Sequence, residues 1–131
     1  MSAVPFRRYF TVEEARALLP TLRPLIQRVQ QIAHELGADF GQRKLLSVWS
    51  RAIENGGNPL ASRLWKCLHE LMECLQQIHA TGALVKDVRL GLVDFPHWRD
   101  GRAVFLCWRC DEDDIYFWHE LDAGYRGRQP L

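Results

Sequence analysis

The chain has 131 residues, 47% of them hydrophobic and 25% charged, with a formal net charge of +1 at neutral pH. That length fits one domain, residues 1–131, and a chain of this size buries roughly two-thirds of its unfolded surface without a disulfide or metal staple. Near-neutral charge with basic and acidic residues interspersed argues against nucleic acid and anionic membranes as partners, and no apolar run approaches the ~20 residues that cross a bilayer. The opening residues Met1 to Arg8 hold no apolar core of signal-peptide length, so the expected location is the cytoplasm.

Arg8-Tyr9-Phe10 reads as a short edge strand. Thr11-Val12-Glu13-Glu14 is a capping box, in which Thr11 caps a helix and Glu14 reaches back to the Thr11 amide. Apolar residues then fall at Ala15, Leu18, Leu19, Leu22, Leu25, Ile26, Val29, Ile32, Ala33 and Leu36, the three- and four-residue steps of one helix face. Pro20 and Pro24 interrupt that run, and each removes an amide donor and crowds the preceding turn. The pattern predicts a short helix to Leu18, a kink, and a second helix from Pro20 to Leu36. After a weak point at Gly37 and Gly41, Leu45, Val48, Trp49, Ala52 and Ile53 predict a helix over 42–54. Two glycines end it, Asn58 caps the next helix and Pro59 takes its first turn. The last stripe is Leu60, Leu64, Leu68, Leu71, Leu75 and Ile78, closed by Gly82 as a left-handed cap. Residues 11–82 therefore form a long antiparallel helical hairpin.

From residue 83 the period changes to two. Residues 83–88 and 91–95 read as strands, the second ending ahead of Pro96. Asp100-Gly101 is a turn, and 102–109 and 115–121 are strands joined by an acidic turn at residues 111–114. With those four residues as the loop, Trp108 opposes Phe117, Leu106 opposes His119 and Phe105 opposes Glu120. That register places Val104, Leu106, Trp108, Phe117 and Leu121 against the helices. Phe105, Cys107, Arg109, Tyr116, Trp118 and Glu120 then share the other face. The fold class is α+β: the hairpin, a small mostly antiparallel sheet over residues 83–131, and a C-terminal tail that straps the sheet edge.

Val85-Lys86-Asp87, Gly91-Leu92-Val93-Asp94-Phe95-Pro96, Leu106-Cys107-Trp108-Arg109 and Phe117-Trp118-His119-Glu120-Leu121-Asp122-Ala123-Gly124 resemble a bacterial family of uncharacterised proteins, domain of unknown function 2203. Phe10-Thr11 through Leu18-Leu19-Pro20 is similar to that family's opening. No motif of the resemblance falls within residues 37–58. The resemblance implies a helical hairpin followed by a small sheet. It implies no activity and supplies no functional residues.

The four cysteines read as free structural thiols. Cys67 and Cys74 on a helix, and Cys107 and Cys110 on a strand, are each about 10 Å apart, too far for a disulfide. Cys107 and Cys110 are expected to be reduced and free of metal, because no second ligand pair accompanies them. No cofactor is expected. His69 and Glu73, four apart on a helix, read as a solvated ion pair.

Chemistry concentrates late in the chain. Asp94, His97, His119, Glu120 and Asp122 mix imidazole with carboxylate, the types that bind divalent metal or move protons. Adjacent strand residues such as His119 and Glu120 point to opposite faces, however, so they enter one site together only across a bulge. The leading expectation is a non-enzymatic binding or assembly module. The alternative is a metal- or acid/base-dependent enzyme using His119, Asp94 and Asp122. A ligand site is placed between the outer sheet face and the tail, drawing on Asp94, Arg109, Tyr116, Trp118, His119, Glu120, Asp122, Arg126 and Arg128. Its arginines favour a small anionic ligand. Apolar residues on both faces of the strand over 102–109 lead to the expectation of a homo-oligomer, a dimer.

Overall fold

A computed structural model describes residues 6–39 and 59–131. The elements are helices α1 (Val12–Asp39) and α2 (Pro59–Ala80), strands β1 (Leu84–Asp87), β2 (Leu92–Arg99), β3 (Arg102–Arg109) and β4 (Phe117–Glu120), a 3-10 turn (Tyr125–Gly127) and strand β5 (Gln129–Pro130). The expected α+β class is what forms. The helix predicted over 42–54 and the Asn58 cap lie outside the described residues.

The capping box is in place: the Thr11 amide donates to Glu14 Oε1 at 2.8 Å and the Glu14 amide to Thr11 Oγ1 at 3.0 Å. The predicted division into two helices is absent, and α1 runs unbroken through Pro20 and Pro24. The two prolines are four residues apart and both exposed, so they share the solvent side of the helix. The carbonyls they leave without an amide partner, those of Arg16 and Pro20, are open to water there. The opposite face, with Ala15, Leu19, Leu22, Ile26, Val29 and Ile32, is buried without a gap. Burial at about 1.5–3 kcal/mol per large side chain outweighs the two proline penalties of about 3 kcal/mol each.

The helices run antiparallel. Leu36, late in α1, packs with Leu60, Ala61, Leu64 and Leu68, early in α2. Midway, the Arg28 guanidinium grips both Glu70 oxygens at 2.6 Å. Arg28 and Glu70 lie on the hairpin seam, and His69 and Glu73 form the expected exposed pair at 3.1 Å. The Gly82 amide bonds the His79 carbonyl at 2.9 Å and Gly82 has φ 95°, the expected helix stop.

The five strands follow one another in an antiparallel sheet ordered β1-β2-β3-β4-β5. β2 and β3 make the longest hairpin, joined by Asp100 (φ 53°) and Gly101 (φ 77°), the two positive values of a type I′ turn. β2 does not stop before Pro96 but continues to Arg99, with Pro96 opposite Phe105. The Pro96 carbonyl accepts from the Phe10 amide at 2.7 Å, so it points away from β3. The proline nitrogen points the same way, and the β2–β3 ladder loses no donor. Residues 8–10 form no strand. They lie against the end of β2, held by that bond and by the Phe10 carbonyl 2.7 Å from His97 Nδ1.

The β3–β4 register differs from the predicted one by one residue: Val104 opposes Glu120, Phe105 opposes His119, Leu106 opposes Trp118 and Cys107 opposes Phe117. The acidic turn closes on β3, with the Glu112 carbonyl accepting from Trp108 Nε1 at 3.0 Å and Glu112 Oε1 from the Arg109 amide at 2.7 Å. Ile115 drops into the core instead of pairing with Cys110. The pairing resumes at Phe117, and a slip of one residue turns every β4 side chain over.

α1 covers the inner face, over Val93, Phe95, Val104, Leu106, Trp108 and Trp118. It is pinned to the sheet's loops by Arg16 to the Ile115 carbonyl, Arg23 to the Cys110 and Glu112 carbonyls, and Gln30 to the Arg89 carbonyl. Two straps lie over the outer face. At one end the Phe6 ring meets Phe105 at 5.3 Å and Tyr9 stacks on Trp98 at 4.9 Å. At the other the tail folds back and β5 pairs with β4, the edge-covering role expected of it. Both faces of β3 are thus covered within the chain, so its apolar outer face does not call for a second subunit. Among the described residues no helix is long and apolar enough to cross a membrane.

Candidate functional site

Between the two straps the outer face opens into a cavity of about 120 Å³, lined by Lys86, Leu92, Asp94, Phe105, Cys107, His119, Leu121, Gly124 and Tyr125. Its floor is set by register. Asp94 on β2 lies opposite Cys107 on β3, and His119 on β4 lies opposite Phe105, one step along the same face from Cys107. Three neighbouring strands therefore present a carboxylate, a thiol and an imidazole to one point. These three ligating atoms lie within 4.8 Å of one another, and all three residues are buried.

His119 is 2% exposed and Asp94 is 3% exposed. His119 Nε2 stands 3.2 and 3.1 Å from the two Asp94 oxygens, and Nδ1 stands 2.7 Å from the Glu120 carbonyl. The carbonyl can only accept, so Nδ1 carries a hydrogen. Burial alone pushes the His119 imidazole down. The Asp94 carboxylate, the Cys107 side chain and the Glu120 carbonyl outweigh it and raise the pKa from 6.5 to about 10. At neutral pH both ring nitrogens donate, and the pair is an imidazolium beside a carboxylate. Lys86 extends over the Phe105 ring at 4.6 Å and adds a cation at the rim. The walls are Leu92, Phe105, Leu121 and the Tyr125 ring, whose hydroxyl accepts from Arg109 Nη1 at 2.8 Å.

Of the residues the sequence pointed to, the structure brings Asp94 and His119 together and leaves the others outside. Trp118 lies on the inner face, 6% exposed, with the Arg99 and Arg102 guanidinium groups 4.7 and 5.8 Å from its ring. Glu120 is on that side too, paired with Arg102, and only its carbonyl serves the site. Tyr116 is exposed and bonds Asp113 at 2.7 Å. Arg109 pairs with Asp111 at 2.6 Å and props Tyr125 rather than facing the cavity. Arg128 pairs with Glu112 at 2.6 Å and stacks on Phe117 at 4.2 Å, fixing the strap. Asp122 and Arg126 are exposed and do not line the cavity. His97 binds the Phe10 carbonyl on the inner side.

Cys107 is the floor residue that the sequence does not single out, because its spacing groups it with Cys110 as a structural thiol. In the fold the two thiols part company. Cys110 Sγ meets Gln30 Oε1 of α1 at 3.4 Å, on the helix side of the sheet, where burial pushes its thiol up. One signal was available. Arg102 and Glu120 can meet only if they share a face. That requirement sets the parity of β4, which turns His119 to the face of Cys107.

A larger cavity, about 610 Å³, lies between α1 and the β1–β2 turn, lined by Gln30, Ala33, His34, Gly37, Val88 and Arg89. Gln30 is already bonded to the Arg89 carbonyl and to Cys110, and His34 and Arg89 are exposed.

No curated protein and no solved structure matches the chain. A family model does, over residues 8–131, and that span includes the stretch 37–58 where no motif of the resemblance falls. The chain belongs to the family described as an uncharacterized conserved protein, DUF2203.

Proposed function

We propose that this protein is a small-ligand-binding module whose ligand is a small anion, held in the cavity between the outer sheet face and the C-terminal strap. The observation that carries this reading is the composition of the cavity: apolar walls, a buried and mutually neutralising His119–Asp94 floor, and Lys86 as the remaining ionised group in the lining. The lining is therefore net positive. A volume of about 120 Å³ is below the ~300 Å³ at which drug-sized pockets begin. It suits a carboxylate of a few atoms or an inorganic oxyanion. Binding is favoured over acid/base catalysis because both His119 nitrogens already face acceptors, which leaves neither free to collect a proton from a substrate.

The test is a thermal-shift and calorimetric screen of phosphate, sulfate, bicarbonate and short-chain carboxylates against chloride at matched ionic strength. At least one anion is expected to stabilise the protein saturably. The effect should be lost in Lys86→Ala and kept in His69→Ala. A panel that does no more than chloride, or a shift that survives Lys86→Ala, would overturn the reading.

A further inference from the structure

We infer that Asp94, Cys107 and His119 are three ligands of a divalent transition-metal site of the zinc class, with the fourth coordination position open to the outer-face cavity. The inference deepens the binding reading, since it names what would hold the anion, and it can fail separately from it.

The donor set selects the metal. A thiolate and an imidazole exclude Mg²⁺ and Ca²⁺, which take oxygen, and suit Zn²⁺, Co²⁺ or Fe²⁺. Three protein ligands with one open position is the coordination of sites that exchange water or bind a substrate, not of closed structural sites. The second observation is the orientation of the imidazole. Nδ1 donates to the Glu120 carbonyl at 2.7 Å, which fixes the ring with Nε2 directed at Asp94. That is the outer hydrogen bond metal-bound histidines carry, and it needs no change when a metal replaces the Nε2 proton.

The distances are close to a coordination sphere. Tetrahedral bonds of ~2.0 Å to nitrogen or oxygen and ~2.3 Å to sulfur put ligand atoms roughly 3.3–3.5 Å apart. Nε2 and the nearer Asp94 oxygen are already 3.1 Å apart, and no ligand pair exceeds 4.8 Å. The remaining adjustment is roughly 1 Å, within the reach of the Cys107 and Asp94 side chains. The ligands stand on three hydrogen-bonded strands, so the backbone holds them in place without a loop. This replaces the expectation of a metal-free Cys107, which rested on pairing it with Cys110.

The experiment uses the full chain, stripped with chelator and then titrated with Zn²⁺ or Co²⁺ alone. One ion per chain is expected by elemental analysis. Co²⁺ should give intense tetrahedral d–d bands and a thiolate-to-metal charge-transfer band, and Zn²⁺ should raise the melting temperature. In the wild-type protein Zn²⁺ should protect Cys107, and not Cys67, from alkylation, as read on the peptides by mass spectrometry. Cys107→Ser and His119→Gln should abolish the cobalt spectrum, and Cys67→Ser should keep it. No bound ion, a cobalt spectrum without the thiolate band, or a full spectrum in Cys107→Ser would overturn the metal site. The two readings separate cleanly. Anion binding to the chelated protein with no metal uptake sinks the metal alone. Metal uptake with no anion effect sinks the anion reading alone.

Discussion

The two faces of the sheet are both closed, but by different means. On the inner face Val104, Leu106 and Trp108 meet α1, and the one polar atom among them, Trp108 Nε1, reaches the Glu112 carbonyl at 3.0 Å. On the outer face Phe105 and Cys107 of the same strand are as deeply buried, at 3% and 1% exposure. Their neighbours, however, are Asp94 and His119, and their cover is two thin straps rather than a helix. Moving a charged pair into that position costs several kcal/mol per ion before attraction repays it, and an apolar pair would serve stability as well or better. One face is therefore organised for stability. The other tolerates a cost to keep a polar cluster beside a cavity, the pattern of a functional site.

The largest effect should come from the inner face. Trp108→Ala removes the bulkiest fully buried side chain and is expected to cost about 4 kcal/mol. Urea denaturation would show it as a lower midpoint at an unchanged slope. A loss below about 1 kcal/mol would mean the helix-facing side is not the principal core.

Asp94→Asn in the chelated protein is expected to cost about 2–3 kcal/mol at pH 6, because it leaves the buried His119 without its counter-charge. The sign with pH follows from the raised His119 value. A folded pKa of about 10 against 6.5 unfolded means the stabilisation is fully present below pH 6.5 and is lost as pH rises through 10. The gap between wild type and Asp94→Asn should thus be widest near pH 6 and close toward pH 10. Urea melts at pH 6, 8 and 10 decide it, and a gap that stays constant or widens with pH would refute the charged-pair assignment.

That contrast between faces was only half legible in the sequence. The inner face was read correctly for β3, because Val104, Leu106 and Trp108 alternate with period two and need only strand parity. The helical hairpin, the Thr11–Glu14 box and the Gly82 stop were legible for the same reason: each is local chemistry at fixed spacing. Continuity of α1 was not, since the cost of Pro20 and Pro24 depends on which side of the helix meets water. A cavity between sheet and tail was legible in place, but the residues that line it were not. Its position between sheet and tail follows from topology, whereas its residues depend on a register that the length of the acidic turn leaves undetermined. Ile115 folding into the core shifts β4 by one, and Trp118 exchanges places with His119.

The straps give a smaller and more diagnostic effect. Phe6→Ala removes one edge contact to Phe105 and one to Tyr9, at ring separations of 5.3 and 5.8 Å. Aromatic pairs of this kind are worth about 0.5–1.5 kcal/mol each, so a loss of about 1–2 kcal/mol is expected. The informative readout is access. Phe105 borders the cavity, so loosening its cover should speed thiol labelling of Cys107 while leaving Cys110, on the helix side, as slow as before. Equal acceleration of both thiols would mean the variant loosens the whole fold and that the strap does not act on the outer face alone.

His69→Ala should do least of all. The pair with Glu73 spans one helical turn at 3.1 Å, yet the two side chains are 75% and 57% exposed. Water and salt screen such a pair, and ordering two long side chains offsets what attraction remains, so exposed pairs of this spacing contribute at most about 0.5 kcal/mol. His119 makes the same kind of contact at the same 3.1 Å, and the two pairs differ in burial. A double-mutant cycle on each at pH 6 therefore measures the effect of burial at constant distance. The coupling at His119–Asp94 should exceed that at His69–Glu73 several-fold, and only the latter should fade with added salt. Equal couplings would mean that water reaches the outer-face floor as freely as the helix surface, and the difference between the two faces would then lie in shape rather than in electrostatics.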